Sequence, residues 1–424
     1  MIGLLNFSLL LKYLLLSVGM KILLWQPSDS FLAAPTITPM VICLGFCALL
    51  AATLATKGFF TARAPLCPPI VEPKHLLVLY WLCFGIGNAA TFVIDYSNFG
   101  TVTMLDGTQV GGLMGVSRYV QPLRDISVGI ALLYAHFKQS RKFITHPLVL
   151  LSAFAAIALS LKQNSKGLLM TPMFYGVLTL FLLRGFKQVR LFMLSGLAVL
   201  LLVETVFPVI HYVRAREFSE SGYRLTLPLF WKSLTDYSFR EELKQDAKSN
   251  YQENGYLGAD PGIVARFAMV GNADNLIAPT AALHEFSGWL TIVWGLKMLP
   301  PRVLYPEKPT YDSSQELSIR SGMADPNSAG VPFAYGFFAA MYNAFGYLGA
   351  LFGSFFLLLI FFMVAKLFFG NPVGPNLWCV FVVGWWHQGI CEFSISGIIS
   401  GLWYAPLAWV VYLASRWLTG RIPV

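Results

Sequence analysis

The stretch PPRVLYPEKP, residues 300–309, lies inside the long polar segment of a strongly hydrophobic chain. That segment covers residues 214–332 and holds 14 of the 21 acidic and 12 of the 30 basic residues. On both sides of it, apolar runs of membrane-spanning length recur. Because loops held by a rigid scaffold often carry the functional residues, this segment indicates where the chemistry lies.

Composition places the chain among membrane proteins. It has 424 residues, of which 56% are hydrophobic and 12% charged, and its mean hydropathy is +0.62. Soluble domains carry about 25% charged residues. The sequence therefore predicts an all-α, polytopic membrane protein, since helices satisfy their own backbone hydrogen bonds in lipid. The net charge of +9 is concentrated in short loops beside the spans, so it indicates topology and not nucleic-acid binding.

Hydropathy predicts about ten transmembrane helices. They cover residues 4–25, 31–56, 76–94, 119–137, 148–161, 168–183, 191–213, 344–367, 377–391 and 399–418.

The distribution of lysine and arginine predicts the orientation of these spans. Basic residues cluster in the short loops 57–74, 138–142 and 184–190 and at the carboxyl end, which places both termini in the cytoplasm. The long segment is balanced in charge and lies on the outer side, which is the periplasm in a Gram-negative bacterium. Three regions follow, with spans one to seven in 1–213, the large outer loop in 214–332 and spans eight to ten in 333–424.

Three helices are predicted within the large loop. Residues 231–251 form an amphipathic pattern that suits the membrane surface. Residues 262–269 form a second, short helix, and residues 286–299 are apolar enough to dip back into the membrane. Pro300 and Pro301 end that last helix.

The proline-rich run presents two cations from a stiff backbone. Four prolines fix φ around Arg302 and Lys308. A guanidinium held in this way suits phosphate or pyrophosphate binding, and a lysine adds a point charge. The alternative is a connector whose cations meet lipid headgroups.

Further cations are predicted at the outer ends of spans. Arg214 and Arg216 follow span seven, and either they bind an anion or they anchor the span at the interface. Arg124 begins span four beside Asp125, and Lys166 lies in the turn between spans five and six. Converging cations would form an anionic-ligand site, whereas Arg124 and Asp125 could simply pair with each other.

His284 and Glu285 are the predicted acid–base pair of the loop. Either group can take a proton from a sugar hydroxyl in a partly dry site. The alternative is a hydrogen-bonded histidine beside a solvated glutamate. The sequence contains no phosphate-binding loop, dinucleotide fingerprint or metalloprotease motif, so neither a metal nor another cofactor is expected.

Several motifs together resemble one family. PPRVLYPEKP is similar to the IPRxLWPxKP pattern that ends the large outer loop of Wzy-type polymerases, which join O-antigen or oligosaccharide repeat units; Tyr305 stands where tryptophan is usual. The sequences FAYG at 333–336 and YNAFGYLG at 342–349 resemble the span that follows in that family. The turn NSKG at 164–167 and the pair Arg266-Phe267 resemble two further motifs.

This resemblance implies a GT-C-like membrane glycosyltransferase of the bacterial inner membrane. Such an enzyme joins repeat units carried on undecaprenyl pyrophosphate, without a nucleotide sugar. Its partners would be the lipid-linked glycan, the bilayer, and a chain-length regulator and a flippase of the same pathway. For this function the expected catalytic residues are His284, Glu285 and Arg302. The expected ligands of the pyrophosphate or glycan are Arg124, Lys166, Arg214, Arg216, Arg266, Lys308, Arg320 and Tyr342.

Two other functions stay open at this point. An O-antigen ligase would use the same donor but transfer the glycan to lipid A core. A transporter of lipid-linked oligosaccharides would carry twelve or more spans and internal repeats, and the chain has no such repeats.

Overall fold

A computed structural model gives the fold of the chain. It describes residues 6, 9–59, 65–68, 70, 72–98, 120–138, 145–162, 166–184, 223–249, 256, 268–300, 305, 317–319, 321–322, 335–370, 378 and 395–420. Every regular element in these ranges is a helix. Three of the helices are long and apolar enough to cross a membrane, namely Ile37–Lys57, Pro73–Val93 and Phe337–Phe369. The predicted all-α, membrane-associated class is therefore confirmed.

Fourteen helices, numbered α1–α14 in chain order, make up the described part. Helix α1 is a π-helical stretch, Leu11–Gly19, that continues as the α-helical turn Met20–Leu23. The others are α2 (Ile37–Phe59), α3 (Pro73–Asn98), α4 (Leu123–Phe137), α5 (Pro147–Lys162), α6 (Lys166–Arg184), α7 (Tyr223–Thr235), α8 (Tyr237–Ser249), α9 (Met269–Leu283), α10 (Leu290–Met298), α11 (Phe337–Leu348), α12 (Ser354–Phe369), α13 (Ile395–Gly401) and α14 (Tyr404–Leu418).

Most predicted spans coincide with helices, but several boundaries were wrong. Span two starts at Ile37 and not at 31, because the chain makes turns there and Phe31 has a φ of 64°. Span eight starts at Phe337, seven residues before the predicted start. Span ten is two helices, α13 and α14. Span seven and nearly all of span nine lie outside the described residues.

Close contacts at small residues fix how the helices pack. A Cβ on Gly45 of α2 would lie 2.4 Å from the ring of Phe338 in α11. A Cβ on Gly87 of α3 would lie 2.2 Å from the backbone nitrogen of Arg124 in α4. Helices α3, α4, α5 and α6 pack in sequence, while α2 packs on α9, α11 and α12. The described core therefore has two halves, and α14 contacts both, through α3 and α12.

Hydrogen bonds at the helix ends establish two ends of the bundle. At one end Lys366 Nζ donates to the Thr56 carbonyl (2.8 Å), and Cys67 N–H donates to the Phe368 carbonyl (2.7 Å). Helix α9 of the large loop contacts the opposite end of α2, where that helix begins. The short basic loop after α2 and helix α9 thus lie at opposite ends of α2.

Candidate functional site

Span eight is broken in the middle of the motif YNAFGYLG. Phe345 (φ −142°, ψ 23°) and Gly346 (φ 63°, ψ −146°) leave the helical conformation within α11, shortly before the π-helical turn Gly349–Gly353. The torsion angles of Gly346 are essentially restricted to glycine. A Cβ on Gly349 would lie 2.1 Å from the Met341 carbonyl oxygen, so glycine is required at that position too. The two glycines of the motif therefore build the break.

The large loop binds the backbone just before this break. The Ser287 N–H donates to the Asn343 carbonyl (2.9 Å), and the Gly288 N–H donates to the Ala344 carbonyl (3.0 Å). Broken helices at membrane depth require such partners, because lipid offers none. The rings of Phe286 and Trp289 pack edge-on against span-eight aromatics. The turn 284–289 and the broken span thus form one unit.

His284 and Glu285 begin this turn. His284 follows α9 in the left-handed conformation, with a φ of 54°, and ends that helix. Both side chains are exposed. A left-handed non-glycine residue is uncommon, and such residues concentrate at functional turns. The predicted acid–base pair is therefore presented to the surface beside the break.

A buried carboxylate holds α9 against the start of α2. Asp274 is 4% exposed and accepts three hydrogen bonds. The donors are Ala33 N–H (2.6 Å), Ala34 N–H (3.1 Å) and the Thr38 hydroxyl (2.6 Å). An anion is also favoured by the dipole at the amino end of a helix. Among the described residues, these three donors and no cation are bonded to the carboxylate.

A second polar contact holds α9 against span eight. The Asn343 side-chain amide donates to the Thr280 hydroxyl (2.8 Å), which donates in turn to the Leu276 carbonyl (2.7 Å). Asn343 is 3% exposed, and its side-chain oxygen has no partner among the described residues. Asn343 therefore contributes its side chain to α9 and its carbonyl to the turn.

A lysine and two aromatic side chains pack together near the contact between α9 and the start of α2. The Lys21 ammonium donates to the Gln26 and Ser30 side chains and lies 4.6 Å from the rings of Phe31 and Tyr256. Burial, and after it the charges of Asp29 and Asp274, raises the pKa of Tyr256 to about 12. Tyr256 thus stays protonated and donates to the Ser28 carbonyl (2.9 Å).

An apolar cavity of about 800 Å³ lies beside the break. Its walls come from the turn, from α10 to α13 and from the π-helical turn, and its lining includes Gly288, Trp289, Phe345, Gly349, Phe356 and Ile399. Trp289 and Phe356 are more than half exposed, so the cavity opens on an apolar part of the surface. Its shape and chemistry suit a hydrocarbon chain.

Arg124 is paired within its own helix. Its Nε donates to Asp125 Oδ1 (2.9 Å), and a second guanidinium nitrogen also contacts that oxygen. Arg124 and Asp125 are 3% and 8% exposed. A third nitrogen lies 3.4 Å from the Thr91 hydroxyl of α3. The alternative anticipated for this residue, pairing with Asp125, is what the structure contains.

The structure describes only some of the other residues predicted to bind the pyrophosphate or glycan. Tyr342 is buried in α11, its ring against those of Phe286 and Tyr347. Lys166 is the first residue of α6, and its side chain is not among those described. The following residues lie outside the described part: Arg214, Arg216, Arg266, Arg302, Lys308 and Arg320. Their grouping around the site stays a prediction.

The helices of the large loop differ from the predicted ones. The amphipathic helix is two helices, α7 and α8, that meet at Asp236. The predicted helix 262–269 lies almost entirely outside the described residues, and α9, which starts at Met269, was not predicted. The apolar helix begins at Leu290 and not at 286, because residues 286–289 form the turn bound to span eight. Asp274, Thr280 and Ser287 were not singled out by sequence reasoning.

Within the described ranges, no group of three His, Cys, Asp or Glu side chains is close enough to hold a metal ion. Comparison of the chain with family models, with curated proteins and with solved structures gave no match.

Proposed function

We propose that the chain is a glycosyltransferase that polymerises oligosaccharide repeat units carried on undecaprenyl pyrophosphate. The observation that carries the proposal is the placement of the exposed His284–Glu285 pair on the same turn that forms a wall of the apolar cavity. A lipid-linked glycan has the same two parts, a hydrocarbon chain and a polar head, joined by a pyrophosphate.

The cavity would take part of the hydrocarbon chain of the donor. Its lining is apolar, and it opens on an apolar part of the surface at Trp289 and Phe356. The sugar head would then lie at the end of the bundle where α9 and the turn are found. In this arrangement the pyrophosphate sits at the membrane surface, within reach of the polar loop.

The chemistry needs a base and a cationic site. An acceptor sugar hydroxyl attacks the anomeric carbon of the donor, and the bond from that carbon to the pyrophosphate oxygen breaks. The hydroxyl proton passes to His284, with Glu285 as the second candidate. Undecaprenyl pyrophosphate leaves with both bonding electrons, and Arg302 and Lys308 stabilise its charge. Arg124 is left out of this set because Asp125 already matches its charge.

The proposal includes the ten-span topology with both termini in the cytoplasm and the large loop outside. It is supported by the opposite placement of α9 and of the loop after α2. Cysteine labelling from either side of the membrane tests it. A cysteine at Tyr237, an exposed loop position, should react from the outside only.

A deletion strain tests the proposed reaction. It should carry single repeat units on lipid A core, because ligation continues without polymerisation. If the chain is the ligase, polymer should accumulate on the carrier lipid and none should reach lipid A. A complete, unaltered ladder of glycan lengths would exclude both activities.

Single substitutions test the residues. Arg302→Ala and His284→Ala should abolish polymerisation while the protein stays at its normal level in the membrane. His146→Ala is a matched control, since this histidine lies before α5, away from the turn. Full activity in His284→Ala would shift the role of base to Glu285, and full activity in Glu285→Ala as well would remove this turn from the chemistry. Full activity in Arg302→Ala would remove Arg302 from the proposed cationic site.

A further inference from the structure

The turn that carries His284 is held by polar contacts to two different spans. On one side Asp274 binds the start of α2, and on the other Thr280 binds Asn343 in α11. The two contact residues lie six positions apart on α9, which ends at the turn. The position of the turn thus depends on how α9 is fixed between the two spans.

We infer that Asp274 is a positioning residue that sets the location of the His284–Gly288 turn on the broken span. It touches neither the turn nor the cavity lining. It acts through α9, whose carboxyl end becomes the turn.

Polar contacts are needed here because the other buried side chains of α9 are apolar. Met269, Val270, Ala273, Leu276 and Ile277 are all buried. Apolar packing is non-directional and tolerates small sliding of one helix on another. Three hydrogen bonds to one carboxylate fix α9 along its axis, because donors from residues 33, 34 and 38 converge on two oxygens.

The carboxylate cannot be replaced by an amide without loss. Ala33 N–H donates to Oδ2, whereas Ala34 N–H and the Thr38 hydroxyl donate to Oδ1. An asparagine offers one acceptor oxygen, so either orientation places its NH₂ group against a backbone N–H. Asp274→Asn should therefore behave much like Asp274→Ala, although replacing aspartate by asparagine usually has only a small effect.

Amide hydrogen exchange of the full chain in lipid nanodiscs tests the inference. The Ser287 and Gly288 amides report directly on docking, because both donate to span-eight carbonyls. In Asp274→Ala their exchange should be about tenfold or more faster, since hydrogen bonds to charged groups contribute about 1.5–3 kcal/mol and about 1.4 kcal/mol is tenfold. Exchange in α12 should not change.

Asp236→Ala is the matched control. Asp236 also lies in the large loop and its carboxylate also accepts a hydrogen bond from a helical N–H, that of Phe239. Its removal should speed exchange in α8 and leave the turn unchanged. Equal effects of the two variants on the turn would overturn the inference.

Unchanged exchange at Ser287 and Gly288 in Asp274→Ala would overturn it, and so would an equal increase in α12, which indicates general loosening. If Asp274→Ala does not fold, two substitutions of Thr38 provide the test. Thr38→Val removes one of the three donors and should speed exchange at the turn, whereas Thr38→Ser keeps the hydroxyl and should not. Identical exchange in these two variants would contradict the inference.

The significance of the turn for catalysis rests on the proposed function, but the exchange experiment does not. If Asp274→Ala loosens the turn and the deletion strain still makes normal polymer, the proposed function fails and the positioning role stands. If the deletion strain lacks polymer and Asp274→Ala leaves the turn protected, only the positioning role fails.

Discussion

The junction of α3 and α4 and the junction of α9 with α2 both bury an aspartate, but they satisfy it differently. At the first, Asp125 pairs with Arg124, its neighbour in the sequence. At the second, Asp274 accepts hydrogen bonds from residues 236–241 positions away and pairs with no cation in the part of the chain that the structure describes.

The difference separates local from long-range specification. The Arg124–Asp125 pair neutralises itself within α4, so it adds little information about which helix lies next to it beyond the contact to Thr91. Asp274 is satisfied only when α9 lies at the start of α2. A buried carboxylate that is neutralised locally therefore does not specify which helix packs next to it, whereas one that needs distant donors does.

Breaking the local pair should have the largest effect on stability. Arg124→Ala leaves Asp125 buried without a cation, and removing one partner of a buried pair costs about 3–5 kcal/mol. Thermal unfolding of the purified protein measures the loss. Lys57→Ala, at an exposed lysine in the last turn of α2, is the control and should have little effect.

The double variant Arg124→Met with Asp125→Leu tests whether stability is lost because one charge is left without its partner. Replacing both charges of a buried pair by apolar groups is often neutral or stabilising. We expect most of the lost stability to return. If the double variant is as unstable as Arg124→Ala, the pair specifies packing in the way that Asp274 does, and the contrast between the two junctions disappears.

A smaller loss is expected at the break. In Gly349→Ala the new Cβ would lie 2.1 Å from the Met341 carbonyl oxygen, a backbone atom that cannot move aside easily. Overpacking of this kind costs about 1–3 kcal/mol. The transition temperature should fall, and the exchange of the Ser287 and Gly288 amides should rise with it.

Gly85→Ala is the matched glycine substitution. Gly85 lies in α3 with no atom within 4 Å of its added Cβ. Alanine there should stabilise the helix by about 0.5–1 kcal/mol, because glycine loses more conformational entropy on folding. Equal destabilisation by both substitutions would mean that the break has no special requirement for glycine.

The smallest effect concerns the partly exposed carboxylate of Asp236 at the start of α8. Hydrogen bonds from the Ser238 hydroxyl and then from the Phe239 N–H lower the pKa of Asp236. A lowered pKa stabilises the folded state above the unfolded value of about 3.9, and this stabilisation is lost as pH falls through the folded value. The ratio of α8 amide exchange in Asp236→Ala to that in the unchanged protein should therefore approach one at low pH. A ratio that does not change with pH would exclude this role.

The sequence predicts helices best where the helix is apolar along its whole length. Helices α3, α5 and α6 begin and end within four residues of the predicted spans, because hydropathy alone determines them. Helix α9 was missed because MVGNADNLIAPTAAL contains Asn, Asp, Gly and an internal proline, all poor helix formers. Its stability comes from tertiary contacts at Asp274 and Thr280, which no local pattern encodes.

The break in span eight shows the same limit. Gly346 and Gly349 stood in a motif that was recognised, yet the span was predicted as one helix. A single glycine inside an apolar run lowers helix stability without determining a kink. What makes the break tolerable is the turn at Ser287 and Gly288, some 56 residues earlier in the chain. For His284 the residue could be predicted, but its position beside the break could not.

The bonds to Asp274 also have a consequence for the order of membrane insertion. Ala34 emerges 240 residues before Asp274, so at about 5–20 residues per second the ribosome needs roughly 12–48 s to supply the acceptor. During that interval the start of α2 must rely on water or headgroups for its N–H groups. Nascent chains that stall before residue 274 should therefore present the start of α2 without its partner carboxylate to the quality-control machinery.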